Sequence, residues 1–254
     1  GYVFQTCGFK IKEQAQSMTP RFSLPIIKKG RLLPSMSQTS FLNSYPENIP
    51  NGGKRRVAIF IGCLANYNYT GIGKGLLEIL EALEIDAFIP KKQLCCGAPA
   101  YFTGDFATVD HNAKKNIVYF ESFLAEVEAI IIPEATCSAM IKIDYEHYFH
   151  DQPEWLERAK KLKSKIFMAT EWLEQKTQLA ELLASKGRSD LVVTYHDPCH
   201  ARKMQGIYQE PRRLVGQNYT IREMSDPNAC CGFGGVTMQT ENFHFAQAAG
   251  KPKA

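Results

Sequence analysis

Residues 57–63 read Val57-Ala58-Ile59-Phe60-Ile61-Gly62-Cys63. Five apolar residues in a row leave no polar face, the pattern of a strand covered on both sides in a parallel sheet. Working outward, Leu76, Leu77, Ile79, Leu80 and Leu83 recur at helical spacing, and residues 85–89 (IDAFI) form a second strand ended by Pro90. Phe106, Val109, Ala113, Ile117, Phe120, Phe123, Leu124 and Val127 mark a long amphipathic helix, and Ala129 to Ile132 a third strand. The order β-α-β-α-β predicts a parallel sheet with helices on both faces.

The pattern then repeats. Leu191 to Tyr195 form a strand leading to Cys199, residues 205–215 are helical, Tyr219 to Glu223 lead to Cys230-Cys231-Gly232, and residues 239–249 are helical. In the first copy Cys63 precedes Cys95-Cys96-Gly97; the two gaps, 64–94 and 200–229, differ by a single residue. A fixed period of this kind marks a duplicated unit. The predicted fold is α/β, with two pseudo-symmetric three-layer domains, mainly parallel sheets and internal duplication. Residues 1–53, rich in Pro, Ser and Asn, read as a linker or wrapping arm, 54–150 as the first repeat, 151–188 as a helical connection and 189–254 as the second repeat. The chain starts at Gly1 and stops at Ala254 soon after the second pair, so it reads as a piece of a longer polypeptide with the second repeat truncated before its last cysteines.

Composition narrows the classes. A net charge of +4, with no long basic run beyond Lys54-Arg55-Arg56, argues against nucleic acid as a partner. No apolar segment approaches the roughly 20 residues that span a bilayer. A cytoplasmic location is expected, with the alternative of a peripheral place at the inner face of the cell membrane through a partner. In a reducing compartment, clustered thiols are metal ligands or redox groups rather than disulfides.

Cys63, Cys95-Cys96 and Cys137 each follow a predicted strand, at the sheet edge where open α/β sheets bind ligands. Adjacent thiols point apart and more readily bridge several metal atoms than chelate one, which favours an iron–sulfur centre over a single zinc ion. Gly97 and Gly232 give the backbone freedom to turn. Repetition sets Cys63, Cys95, Cys96, Cys199, Cys230 and Cys231 apart as cofactor and metal ligands, strand-end placement adds Cys137, and the isolated Cys7 reads as a buried thiol. A structural zinc site in a docking module is the alternative from another class.

With these residues assembled, the chain resembles the cysteine-rich CCG domain family over residues 38–254, through GCLANYN at 62–68, CCGAPAYFTGD at 95–105, PEATCSAM at 133–140, YHDPCH at 195–200 and CCGFGG at 230–235. The family includes iron–sulfur subunits of glycolate and lactate oxidation complexes, and cysteine-rich subunits of anaerobic glycerol-3-phosphate dehydrogenase and of heterodisulfide reductase. The resemblance implies a [4Fe-4S]-type cluster, electron transfer from a flavin-containing dehydrogenase subunit toward quinone, and further iron–sulfur subunits as partners. It implies a redox subunit of a glycolate- or lactate-oxidising complex rather than a complete enzyme, the alternatives being a subunit of the glycerol-3-phosphate system and a catalytic cluster of the heterodisulfide reductase kind. The family pattern closes each repeat with Cys-x-x-Cys; here Met140 stands at the last position of the first repeat, and the second shows only Cys199, Cys230 and Cys231. Longer members carry an N-terminal ferredoxin-like domain, and residues 1–50 contain no such cysteine set.

Other residues leave two readings open. His196 and His200 can donate hydrogen bonds to cluster sulfurs, or His200 opens the next helix while Asp197 orders the turn before Pro198. Tyr67 and Tyr69 shield a cluster or simply pack. Gly71-Ile72-Gly73-Lys74-Gly75 lacks phosphate-loop spacing. Met140 reads as core.

Overall fold

The computed structural model describes residues 7–14, 16–23, 31–233 and 243–253. Its main sheet has five strands in the order β4 (Asn48–Ile49), β6 (Ile85–Phe88), β5 (Arg55–Ile59), β7 (Ala129–Ile132) and β8 (Ile166–Met168). The last four run parallel, with Val57 opposite both Ala87 and Ala129, and Ile130 opposite Ile166; β4 is an antiparallel edge. This is the α/β fold expected from residues 57–132.

Side chains alternating along β5 explain its uninterrupted apolar sequence. Val57, Ile59 and Ile61 pack toward helices Thr70–Ala82 and Ala169–Lys176 on one face. Ala58 and Phe60 pack toward helices Phe106–Glu121 and Pro153–Lys163 on the other. All five are essentially inaccessible, and burying a Val, Ile or Phe side chain contributes roughly 1.5–3 kcal/mol. The sheet is therefore the middle of three layers.

Three features depart from the sequence reading. Residues 166–168, expected within a helical connection, form β8, a strand too short to show a period. The segment read as a linker or wrapping arm carries structure: β1 (Phe9–Lys12), β2 (Ser17–Pro20) and β3 (Leu33–Pro34) pair antiparallel, and β4 joins the main sheet. Finally, the strands expected at 191–195 and 219–223 shorten to β9 (Val192–Val193) and β10 (Thr220–Ile221), a parallel pair. Leu191 and Val192 remain 65% and 52% exposed; with so little apolar cover the pairing does not extend.

The arm is locked to the first unit. Phe41 is fully buried beneath helix Thr70–Ala82, where a Cβ on Gly73 would lie 2.4 Å from its ring. The Gly71–Gly75 run is thus helical, with Gly73 allowing close packing. The Lys91 ammonium donates to the carbonyls of Leu42 and Tyr45, each at 2.5 Å. Helix Phe243–Gly250 covers part of the helix expected at 239–249; residues 239–242, and Gly234 and Gly235 of the last motif, lie outside the described residues.

Candidate metal centre

Parallel pairing brings the carboxyl ends of β6, β5 and β7 side by side, and Cys95-Cys96, Cys63 and Cys137 follow those strands in turn. Cys63 opens helix Cys63–Tyr67 after Gly62, whose φ of 76° lies in the left-handed region. Cys95 and Cys96 end the loop after β6. There Gly97, at φ 92°, turns the chain into helix Ala98–Thr103. Cys137 sits in helix Ala135–Ala139.

The four thiols make a continuous chain of contacts: Cys63 bonds to Cys95, Cys95 to Cys96, and Cys96 donates to Cys137 Sγ at 3.3 Å. Cys96 and Cys137 are 2% and 5% exposed, while Cys63 is open to solvent. Beside Cys63 and Cys95 lies a recess of about 60 Å³ lined also by Phe60, Ile61, Tyr67 and Leu94. Hydrogen bonds from Cys63 and then Cys96 hold the Cys95 thiol far below its ordinary range. Cys63 is pushed up first by its bond with Cys95 and then by burial, and Cys96 first by its bond with Cys137, then by that with Cys95 and by burial. At Cys137 the bond from Cys96 pulls down, but burial and the Glu134 charge outweigh it.

Polar side chains that the sequence reading did not single out fix this geometry. Gln93 Oε1 accepts from Ile61 N (2.8 Å), and its amide donates to Ile59 O (3.2 Å) and Pro90 O (2.8 Å), tying the end of β5 to the loop carrying Cys95. Asn116, fully buried on helix Phe106–Glu121, accepts from Leu94 N (2.9 Å) and donates to Leu94 O and Cys95 O. Tyr145 follows a π-helical turn, Met140–Asp144, and donates its hydroxyl to Cys96 O at 3.0 Å. Glu134 Oε1 accepts from Ala65 N (2.7 Å), and Oε2 from Cys137 Sγ (3.3 Å). Burial raises the Glu134 pKa against the pull of the Ala65 N–H. Each of these residues ties a ligand-bearing segment to another part of the fold, and no periodic signal announces them. Met140 is fully buried core.

The second set is looser. Cys199 begins helix Cys199–Gln205 and is half-buried; Cys230 and Cys231 are exposed. Gly232, at φ 79°, donates its N–H to Cys230 Sγ at 3.4 Å. Among the described residues no thiol–thiol hydrogen bond joins Cys199 to Cys230 or Cys231. The isolated Cys7, expected to be a buried thiol, is exposed instead. His200 lies in the first turn of its helix, 3.3 Å from Thr136 Oγ1 and ring-to-ring with Phe102 at 5.6 Å. Gln205 accepts from Ser138 Oγ at 2.8 Å and donates to Ala135 O, so the helix of Cys199 packs directly on that of Cys137. Asp197 orders its segment through Arg202 and Arg212 rather than through the turn alone.

The donor set fits a thiolate-ligated multinuclear group. Four thiols strung in pairwise contact offer one donor to each of several metal atoms. No described helix has the length and apolarity to cross a membrane.

Comparison with known proteins agrees with the motifs. The model of the cysteine-rich domain, CCG, matches residues 57–142 and 193–254. Lactate utilization protein A of Geobacillus kaustophilus (strain HTA426) is 35% identical over 184 residues, covering 71% of this chain and 73% of its own. The protein of that name from Geobacillus thermodenitrificans (strain NG80-2) matches equally, and that of Bacillus thuringiensis (strain Al Hakam) is 32% identical over 183 residues with the same shares.

Proposed function

The chain belongs to the cysteine-rich CCG domain family, and from that premise we propose that it is an iron–sulfur subunit of a lactate-utilising system. In this reading it passes electrons from a flavin-containing 2-hydroxyacid dehydrogenase subunit toward quinone. The observation that carries the reading is the gathering of Cys63, Cys95, Cys96 and Cys137 at the carboxyl ends of three neighbouring parallel strands. The names of the relatives supply the lactate context.

Cys63, Cys95, Cys96 and Cys137 would hold the cluster, of [4Fe-4S] type, and Cys199, Cys230 and Cys231 would contribute to a second site. Bound there, an iron–sulfur group supplies one-electron acceptance and donation. The protein does the rest. Gln93 fixes the spacing between the Cys63 and Cys95 loops, Asn116 anchors the Cys95 loop to helix Phe106–Glu121, and Tyr145 pins the Cys96 carbonyl. Burial of Cys96 and Cys137 against Ala98, Val109 and Met140 keeps water from one side of the site, while the exposed Cys63 side leaves a path for a partner's electrons.

Potentiometry of the anaerobically reconstituted chain tests the proposal. A visible chromophore that dithionite bleaches and a quinone analogue restores is the expected result. A redox-silent chain holding stoichiometric zinc would instead mark a structural docking module.

A further inference from the structure

Glu134 meets the chain of thiols at its Cys137 end. Its Oε1 is fixed by the Ala65 N–H at 2.7 Å, which leaves Oε2 aimed at Cys137 Sγ, 3.3 Å away. The chain makes room for this approach. Gly62 carries no Cβ, and one placed there would lie 2.3 Å from Oε2 and 3.2 Å from Cys137 Sγ. The donors therefore close on themselves: Cys63, Cys95, Cys96, Cys137 and Glu134, whose other oxygen returns to the helix that Cys63 opens.

As a metal ligand, Cys137 is a thiolate with no proton to donate to the carboxylate. A thiolate and a carboxylate in contact at a largely buried position need a cation between them. At 3.3 Å from each other, Cys137 Sγ and Glu134 Oε2 are near enough for both to reach one metal atom.

We propose that Glu134 is an oxygen ligand of the metal centre, binding through Oε2 the same metal atom as Cys137. This inference rests on the iron–sulfur reading. The site then offers a mixed sulfur and oxygen donor set in which one metal atom differs chemically from the others.

The test is Mössbauer spectroscopy of the full chain reconstituted anaerobically with ⁵⁷Fe and sulfide, beside the Glu134→Gln variant, whose amide oxygen still accepts from Ala65. The expected wild-type spectrum has one iron subsite with an isomer shift above those of the sulfur-ligated subsites, and this subsite is lost in E134Q at unchanged iron and sulfide content. Sulfur-only subsites in the wild type, or superimposable spectra, overturn the inference while leaving the iron–sulfur reading intact. A wild-type chain that takes up neither iron nor sulfide overturns both. Should E134Q fail to fold, the wild-type spectrum alone decides by the same criterion.

Discussion

Replacing Asp197 with Asn should cost the apo protein about 3 kcal/mol. The Asp197 side chain is 1% exposed and accepts from Arg202 Nη1 at 2.5 Å and from Arg212 Nη1 and Nη2 at 2.6 and 3.2 Å. Removing one partner of a buried ion pair costs about 3–5 kcal/mol, because the remaining charge is left uncompensated. The low end applies here, since Arg212 keeps Glu223 at 2.6 Å and Tyr208 O at 2.7 Å. For a chain of this size that corresponds to a fall in Tm of about 6–12 °C, measurable by far-UV circular dichroism. Burial opposes ionisation of Asp197, but the bonds to Arg212 and Arg202 prevail and hold its pKa below the usual carboxylate range. A depressed folded-state pKa gives stability that is full above the unfolded value of about 3.9 and is lost as pH falls through the folded one. The gap between wild type and variant should therefore be constant from about pH 5 to about pH 8 and close below about pH 4. A loss under about 1 kcal/mol, typical of an exposed pair, would refute the reasoning.

Tyr145→Phe removes the donor to Cys96 O within the core and should lower stability in urea by about 1–3 kcal/mol, the cost of stranding a buried acceptor; an unchanged midpoint would show that the carbonyl finds another donor. Gly62→Ala forces a side chain onto Glu134 Oε2 at a residue with φ 76°. It should cost about 1–3 kcal/mol in backbone strain and reduce iron uptake on reconstitution, whereas full uptake would mean that Glu134 and Cys137 move apart freely. Gln93→Ala cuts three hydrogen bonds, two of which join the end of β5 to the Cys95 loop. Each is worth about 1 kcal/mol, so chelators should strip the metal faster from this variant, and equal stripping rates would count against the tie.

The first unit is legible because its chemistry is periodic. β7 falls on Ala129–Ile132, and the run beginning at Val57 marks β5, because strands covered on both faces must be apolar throughout. The cysteines announce themselves by repetition. What the sequence hides is held by contacts distant along the chain: Asn116 reaches Leu94, Glu134 reaches Ala65 and Tyr145 reaches Cys96. A buried Asn or half-buried Glu looks like any other polar residue until the fold closes over it. β8 and the arm strands β1–β3 escape for another reason. At two to four residues they are too short to display a period, and tertiary pairing decides them. His200 reads two ways in the sequence; its bond with Thr136 and contact with Phe102 make it part of the seam between the two cysteine-bearing helices.

If the thiols of the first unit form one cluster-binding set, Cys95, in the middle of their chain of contacts, is the ligand whose loss matters most. Iron and acid-labile sulfide counted in the anaerobically reconstituted wild type, Cys95→Ser and Cys7→Ser test this most directly. Iron and sulfide present together in the wild type and in C7S, with both sharply reduced in C95S, is the predicted result. Stoichiometric zinc without sulfide, or a C95S chain that loads as fully as the wild type, would contradict it.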